Sequence, residues 1–224
     1  KKVGGFSYKR IETFNKNEYA VFCEGEDEVA ANACSFLGVH FLTIKQYYDE
    51  LKEDKAIKII PYNHPFNYSA INNFAVENCS GEYLLLLNND TEVITTGWIE
   101  ELLMLAQKPD VGAVGAKLFY GNDTVQHGGI ILNLGEDRVA GHGHLGVDKS
   151  NLGYMGKMFY AQNITAVSDT CLMVKKSNFE LLDGFDERLT SKYGDVDFCL
   201  RLQEEGLANI FNPYCVINHN QSDK

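Results

Sequence analysis

The stretch from Tyr83 to Leu87 is apolar without interruption and ends abruptly at Asn88-Asn89-Asp90-Thr91. Unbroken apolarity over the length of a strand predicts a central strand of a parallel sheet, covered on both faces. In an open sheet of this kind ligands bind outside the carboxyl ends of the strands, where helix N-termini and loop amides converge. Asn88, Asn89 and Asp90 have that address. A carboxylate there can hold Mg2+ or Mn2+, hard ions that take oxygen ligands and leave positions open for substrate phosphates. The same residue types also end strands as Asx-turns, so residue type alone leaves both roles open.

The surrounding pattern alternates strand and helix. Tyr19 to Cys23 is a short apolar run followed by an acidic turn and a helical pattern, Ile44 to Lys52 predicts a second helix, and Ala56 to Ile60 a buried strand before Pro61. From Ser69 the residues Ile71, Phe74, Ala75 and Cys79 fall at helical spacing, with Gly81 where a C-terminal cap belongs. Thr95-Thr96-Gly97 opens an amphipathic helix (Trp98, Leu102, Leu103, Leu105) that Pro109-Asp110 stops, and Val111 to Leu118 reads as a further strand. Strand character returns from Ile164 to Lys175, helix from Ser177 to Leu182, and Asp195 opens a helix with apolar positions Val196, Cys199 and Leu200. This rhythm predicts an α/β, doubly wound sheet. At 224 residues one domain is expected over 1–224. Residues 121–163, rich in Gly, Asn and His, read as a long, partly mobile active-site insertion with one short strand at Gly129 to Leu134.

The formal charge of −11 argues against a nucleic-acid or anionic-membrane surface, both of which need clustered Lys and Arg. A nucleotide ligand is compatible, because one divalent ion neutralises its phosphates locally. No apolar run approaches the roughly 20 residues of a membrane helix, so a soluble protein is expected, with any membrane association peripheral and through other subunits. The six cysteines form no CxxC pair and most sit in apolar stretches, which predicts a reducing, cytoplasmic compartment.

A second constellation runs from Gly184-Phe185-Asp186-Glu187 to Tyr193-Gly194-Asp195-Val196-Asp197. Asp195 stands at a helix start, where its side chain is expected to cap free backbone N–H groups; the same bonds suit a general base. Asp197, one residue into the helix, favours the helix dipole. The histidines at 127, 142, 144 and 219 form a third group, with Gly141-His142-Gly143-His144 holding the close pair.

From about Phe66 onward the chain resembles glycosyltransferase family 2, in particular the bacterial branch that builds rhamnan-type, capsular and O-antigen polysaccharides. The resemblance rests on Pro65 to Asn73, Gly81 to Val93, Val125-Gln126-His127-Gly128-Gly129, Val139 to His142, Cys171 to Val174 and Tyr193 to Arg201, in that order. It implies a GT-A fold, Rossmann-like, with a mixed, mostly parallel sheet flanked by helices. In that fold Asn88-Asn89-Asp90 takes the place of the DXD motif, with Asp90 binding the metal that bridges the donor diphosphate and Asn88 touching the ribose or the metal's water shell. Asp195 matches the base that deprotonates an acceptor hydroxyl in an inverting displacement, and His219 matches a C-terminal histidine that completes the metal site. The implied cofactors are Mn2+ or Mg2+ and a nucleotide-sugar donor, UDP- or dTDP-linked in preference to GDP-linked, with a glycan or lipid-linked acceptor.

Residues 1–43 diverge from the family, which normally opens with two nucleotide-binding strands. Tyr19 to Gly25, with Glu24 or Asp27 as the acidic residue, is the candidate to replace one of them. Two further departures are Asp169, where the branch has a small neutral residue, and Gly194, where an acidic or amide residue normally precedes the base. Two competing readings follow: a GT-A-like module that binds without turnover, and a metal hydrolase using His127, His142, His144 and His219 around Zn2+.

Overall fold

The computed structural model describes residues 57–135 and 137–220 in full, and the backbone of the short strands β1 (Lys2–Val3), β2 (Phe6–Ser7) and β3 (Tyr19–Val21). The helix expected over Ile44 to Lys52 and the acidic candidates Glu24 and Asp27 lie outside the described residues. The chain divides into two units, Lys1–Asn63 and His64–Asp223. In the first, β1 and β2 pair antiparallel, and β3 pairs parallel with β4 (Ile57–Ile59), the strand expected before Pro61.

The second unit holds a seven-stranded mixed sheet. Its main path runs β11 (Gln162–Ile164), β13 (Ala208–His219), β7 (Val111–Tyr120), β12 (Cys171–Lys175) and β5 (Tyr83–Leu87). Off this path β6 (Thr91–Val93) pairs with β13 and β8 (Val125–His127) with β7. The mixed character agrees with expectation. Its pairing is antiparallel except between β7 and β13, where a mostly parallel sheet was expected. β5 in particular runs antiparallel to β12 and ends the path among the described residues. Leu84 and Leu86 are buried while Leu87 is 42% exposed, so the apolar run does not mark a fully covered central strand. Tyr83 and Leu85 still pack against apolar neighbours on the other face, which accounts for the missing polar alternation.

Helices cover both faces. On one, α2 (Trp98–Ala106) lays Leu102, Leu105 and Ala106 against Val114, Leu118, Met173 and Ile217. On the other, Val76 of α1 (Tyr68–Glu77), Phe179 of α3 (Lys176–Leu181) and Val196, Phe198, Cys199 and Leu202 of α4 (Gly194–Glu204) pack with Leu84, Leu86, Leu172 and Val174. Burying a side chain of this size contributes about 1.5–3 kcal/mol, so these two layers carry most of the fold's stability. α1 is shorter than its apolar spacing suggested. Asn78 caps it three residues before Gly81, its side chain returning to the Phe74 carbonyl at 2.9 Å.

Residues 121–163 are more structured than expected: β8, β9 (Ile130–Leu132), β10 (Ala140–His142), a 3-10 segment (Tyr154–Phe159) and β11. β9 and β10 form an antiparallel pair that sets His142 opposite Ile130. The strand expected from Ile164 to Lys175 is interrupted: β11 ends at Ile164 and β12 starts at Cys171, and the six residues between them enter the site. No helix among the described residues is long and apolar enough to cross a membrane.

Candidate active site

Asp90 stands three residues past the end of β5 and directly before β6, which pairs with the end of β13 so that Thr91 lies opposite His219. The turn is closed by local bonds, Thr91 Oγ1 donating to the Asn88 carbonyl at 2.7 Å and Asn220 N–H to the Asp90 carbonyl at 2.8 Å. This geometry brings His219 Nε2 to 2.9 Å from Asp90 Oδ1. His219 is buried, and its Nδ1 lies 2.9 Å from the amide oxygen of Gln126 on β8. An amide oxygen only accepts, so Nδ1 carries a proton. A neutral ring would then turn a lone pair on the Asp90 oxygen. A positive charge between them, either a proton on Nε2 or a bound cation, makes the contact favourable. The contact with His219 is the main influence holding the Asp90 carboxyl below the usual carboxylate range.

Asn88 is half-buried and Asn89 exposed. The Tyr68 hydroxyl, in the first turn of α1, reaches both the Asn88 side-chain oxygen at 3.4 Å and the Asp169 carbonyl at 3.3 Å. α1 itself is anchored to the loop that leads into α4: Tyr68 N–H donates to Thr190, Ser69 Oγ to Leu189 and Asn67 Nδ2 to Glu187. One helix start thereby ties the end of β5 to the approach to Asp195.

Asp195 lies in the first turn of α4 but is not its cap. Tyr193, in the left-handed region at φ 65°, occupies that position without a side-chain cap bond. The Asp195 carboxylate instead accepts the Val196 N–H at 2.9 Å and the Asp169 backbone N–H. Burial outweighs these bonds and raises its pKa from 3.8 to about 6. Asp169 is raised well above 3.8, by burial first and the Asp195 charge second. Asp197 does more than favour the helix dipole: it pairs with Arg201 one turn on at 2.8 Å, and Arg201 also donates to the Leu182 and Gly184 carbonyls.

The histidines divide. His127 and His142 meet through their Nδ1 atoms at 2.8 Å, His127 being fully buried. His144 is turned elsewhere, its Nε2 accepting the Tyr154 N–H at 3.4 Å. Among the described residues no three His, Cys, Asp or Glu side chains gather as a metal site. The four histidines of the hydrolase reading therefore do not surround a zinc position.

Two runs of contacts hold Asp90, Asn88, Asp195 and His219, and they meet through the backbone at Asn88 to Asp90 and at Ser168 to Thr170. One route runs from Asp90 through His219 to Gln126, whose neighbour His127 accepts the Ser168 N–H; the other runs from Asn88 through Tyr68 to Asp169 and Asp195. Tyr68, Gln126 and Asp169 were not assigned roles from sequence. Tyr68 and Gln126 lie inside the motif segments, and Asp169 stood out as a departure from the family.

This fold is the GT-A fold of glycosyltransferases. The chain belongs to glycosyl transferase family 2, whose model matches residues 43–182. Over 170 residues, 75% of the chain, it is 40% identical to the uncharacterized protein y4gI of Sinorhizobium fredii and 38% identical to the O-antigen biosynthesis protein RfbC of Myxococcus xanthus. It spans only 18% and 13% of the length of those relatives. Among solved structures it is similar to GalNAc-T7 with UDP, GalNAc and Mn2+, at 12% identity and a TM-score of 0.60, covering 78% of this chain and 34% of that one. It is also similar to the mannosyltransferase PcManGT from Pyrobaculum calidifontis in complex with GDP-Man and Mn2+, at 15% identity and a TM-score of 0.53, covering 80% and 43%. At these identities the likeness is one of fold.

Proposed function

We propose that this domain is an inverting, metal-dependent glycosyltransferase that moves a sugar from a nucleotide-sugar donor to a glycan or lipid-linked acceptor in bacterial surface polysaccharide synthesis. The observation that carries this reading is the Asp90–His219 pair at the end of β5, with the half-buried Asp195 tied to the same strand end through Asp169, Tyr68 and Asn88. The Mn2+ and nucleotide ligands of the structural relatives and the O-antigen role named for RfbC support it.

Asp90 and His219 fit a divalent ion. Their 2.9 Å separation is that of neighbouring ligands around an ion bonded at about 2.1 Å, and the Gln126 oxygen fixes the His219 ring so that Nε2 faces the site. Mn2+ or Mg2+ held there would neutralise the charge of the donor diphosphate. Asn88 and Asn89 would bind the nucleotide, and residues 121–163 act as an active-site insertion that supplies Gln126, His127 and His142.

Asp195 acts as the general base. The acceptor oxygen attacks the anomeric carbon as its proton passes to the Asp195 carboxylate, and the bond from that carbon to the diphosphate breaks with its electron pair leaving on the phosphate oxygen. Attack opposite the leaving group inverts the centre. A carboxylate with a pKa near 6 is a stronger base than an exposed aspartate and is still ionised at neutral pH. The buried free thiols Cys171, Cys199 and Cys215 suit a reducing compartment, and we place the reaction in the cytoplasm.

Thermal unfolding with Mn2+ and UDP-, dTDP- or GDP-sugars tests the reading. A ligand at 100 times its Kd raises the midpoint by about 5–10 °C. A metal-dependent rise, with the UDP or dTDP series favoured, is the expected result. No rise with any sugar nucleotide would overturn the donor site.

A further inference from the structure

The hydrogen bonds around His127 determine which nitrogen of His142 carries a proton. The Ser168 backbone N–H lies 3.4 Å from His127 Nε2 and can only donate, so that nitrogen accepts. His127 is fully buried and held neutral, its pKa driven well below 6.5 by burial and then by His142. A neutral ring that accepts at Nε2 has its proton on Nδ1, which faces His142 Nδ1 at 2.8 Å. His142 therefore accepts at Nδ1 and carries its proton on Nε2, at the far side of the ring from His127.

That Nε2–H meets no acceptor among the described residues. His142 is half-buried, and its Nε2 is not among the fully buried polar atoms that lack a partner, so it reaches solvent. The ring stands edge-on to His127, at 83° with centroids 5.1 Å apart, so it is held in angle as well as tautomer. His142 also feels the charge of His219, the residue that faces Asp90. An oriented N–H donor, held by His127 next to the Gln126 that contacts His219, thus has no acceptor among the described residues.

We propose that His142 is a donor-binding residue, its Nε2–H bonding a phosphate oxygen of the nucleoside diphosphate, with His127 as the positioning residue that sets its tautomer. The proposal rests on the transferase reading. A phosphate oxygen is the acceptor such a donor suits, because a hydrogen bond to an ionised oxygen is about twice as strong as a neutral one. It also requires no protonation change at His142, so the bond is present before the leaving group gains charge and strengthens as that charge develops.

Two measurements on the full chain test this. Nitrogen-15 NMR without nucleotide is expected to show Nδ1–H at His127 and Nε2–H at His142; the opposite tautomer at His142 overturns the proposal whether or not a donor binds. Calorimetry with Mn2+ and UDP, dTDP or GDP is expected to show about tenfold weaker diphosphate binding in His142→Ala. His142→Gln, which keeps an N–H donor, recovers most of the loss. Affinity for Mn2+ alone should stay at the parent value, while the unfolding midpoint of His142→Ala should fall, because the buried His127 Nδ1–H loses its acceptor. Unchanged diphosphate affinity in His142→Ala overturns the proposal alone, and an equal loss of Mn2+ affinity overturns it in favour of a metal ligand. Absence of diphosphate binding in the parent chain overturns the transferase reading and this proposal with it.

Discussion

Asp169 donates its backbone N–H to the carboxylate of Asp195 while its own carboxyl feels the Asp195 charge. The backbone bond favours ionised Asp195; a second carboxyl close by disfavours it, since like charges near one another do not both ionise freely.

This pair makes a pH prediction. Transfer requires Asp195 ionised, so kcat/KM should fall as pH drops through about 6, the value burial gives the carboxyl. Asp169→Asn keeps the backbone bond, and because burial and then the Asp195 charge raise the Asp169 carboxyl and leave it the protonated partner, the acidic limb should stay near 6. A limb that moves to lower pH would show that Asp169 carries charge while Asp195 titrates. Stability has a definite sign as well. Folded Asp195 binds its proton more tightly than the unfolded chain, so its own contribution to stability is greatest below the unfolded value of 3.8 and declines as pH rises to about 6.

Asp195→Asn should abolish transfer, by about a hundredfold or more, while leaving donor affinity unchanged, because losing a base acts on the transition state. Single-turnover assays beside calorimetric binding separate the two effects. Turnover near the parent rate would remove Asp195 from its assigned role.

His219→Ala removes a buried side chain that contacts both the Asp90 carboxylate and the Gln126 oxygen. The expected cost is about 1–3 kcal/mol in the metal-free protein, read as a lower urea midpoint at unchanged m-value. Mn2+ should no longer protect against unfolding. Because His219 holds the Asp90 pKa down, the parent's advantage over the variant should fade as pH falls below the carboxylate range.

Several parts of this arrangement were legible because their signal is local. The polar end of the Tyr83–Leu87 strand gave the address of Asn88 to Asp90, and helical spacing gave α2 and α4 closely. Misreadings arose where a distant partner decided the outcome. β5 looked like a central parallel strand because its second face meets Tyr83 and Leu85 neighbours that no local pattern names, and its antiparallel direction is set by β12. Asp195 looked like a cap because residue type favours it, whereas a left-handed Tyr193 fills that position. His127 with His142, and Tyr68 with Asp169, are joined across 15 and 101 residues, beyond any spacing rule. The Arg201–Asp197 pair was within reach of the i, i+4 rule; the two carbonyls that Arg201 also binds were not.

Gly115 gives a test of the packing that carries the site. It lies in β7 opposite Leu172 of β12, and a methyl group built there would stand 2.4 Å from Val167 Cβ and 2.8 Å from its Cγ1. Val167 is fully buried and belongs to the segment between β11 and β12 that carries Ser168 and Asp169. Its side chain has little room to withdraw, since interiors are close-packed. Gly115→Ala should therefore cost about 1–3 kcal/mol, a fall in midpoint of about 2–12 °C. It should also shift the Asp169 N–H against Asp195, so activity should drop further than stability alone predicts. Val167→Ala in the same chain removes the colliding carbons. Because the two sites touch, their effects should not add, and the double variant should be more stable than Gly115→Ala alone. A double variant whose losses simply sum would mean that the strand, and not the Val167 contact, rejects the methyl group.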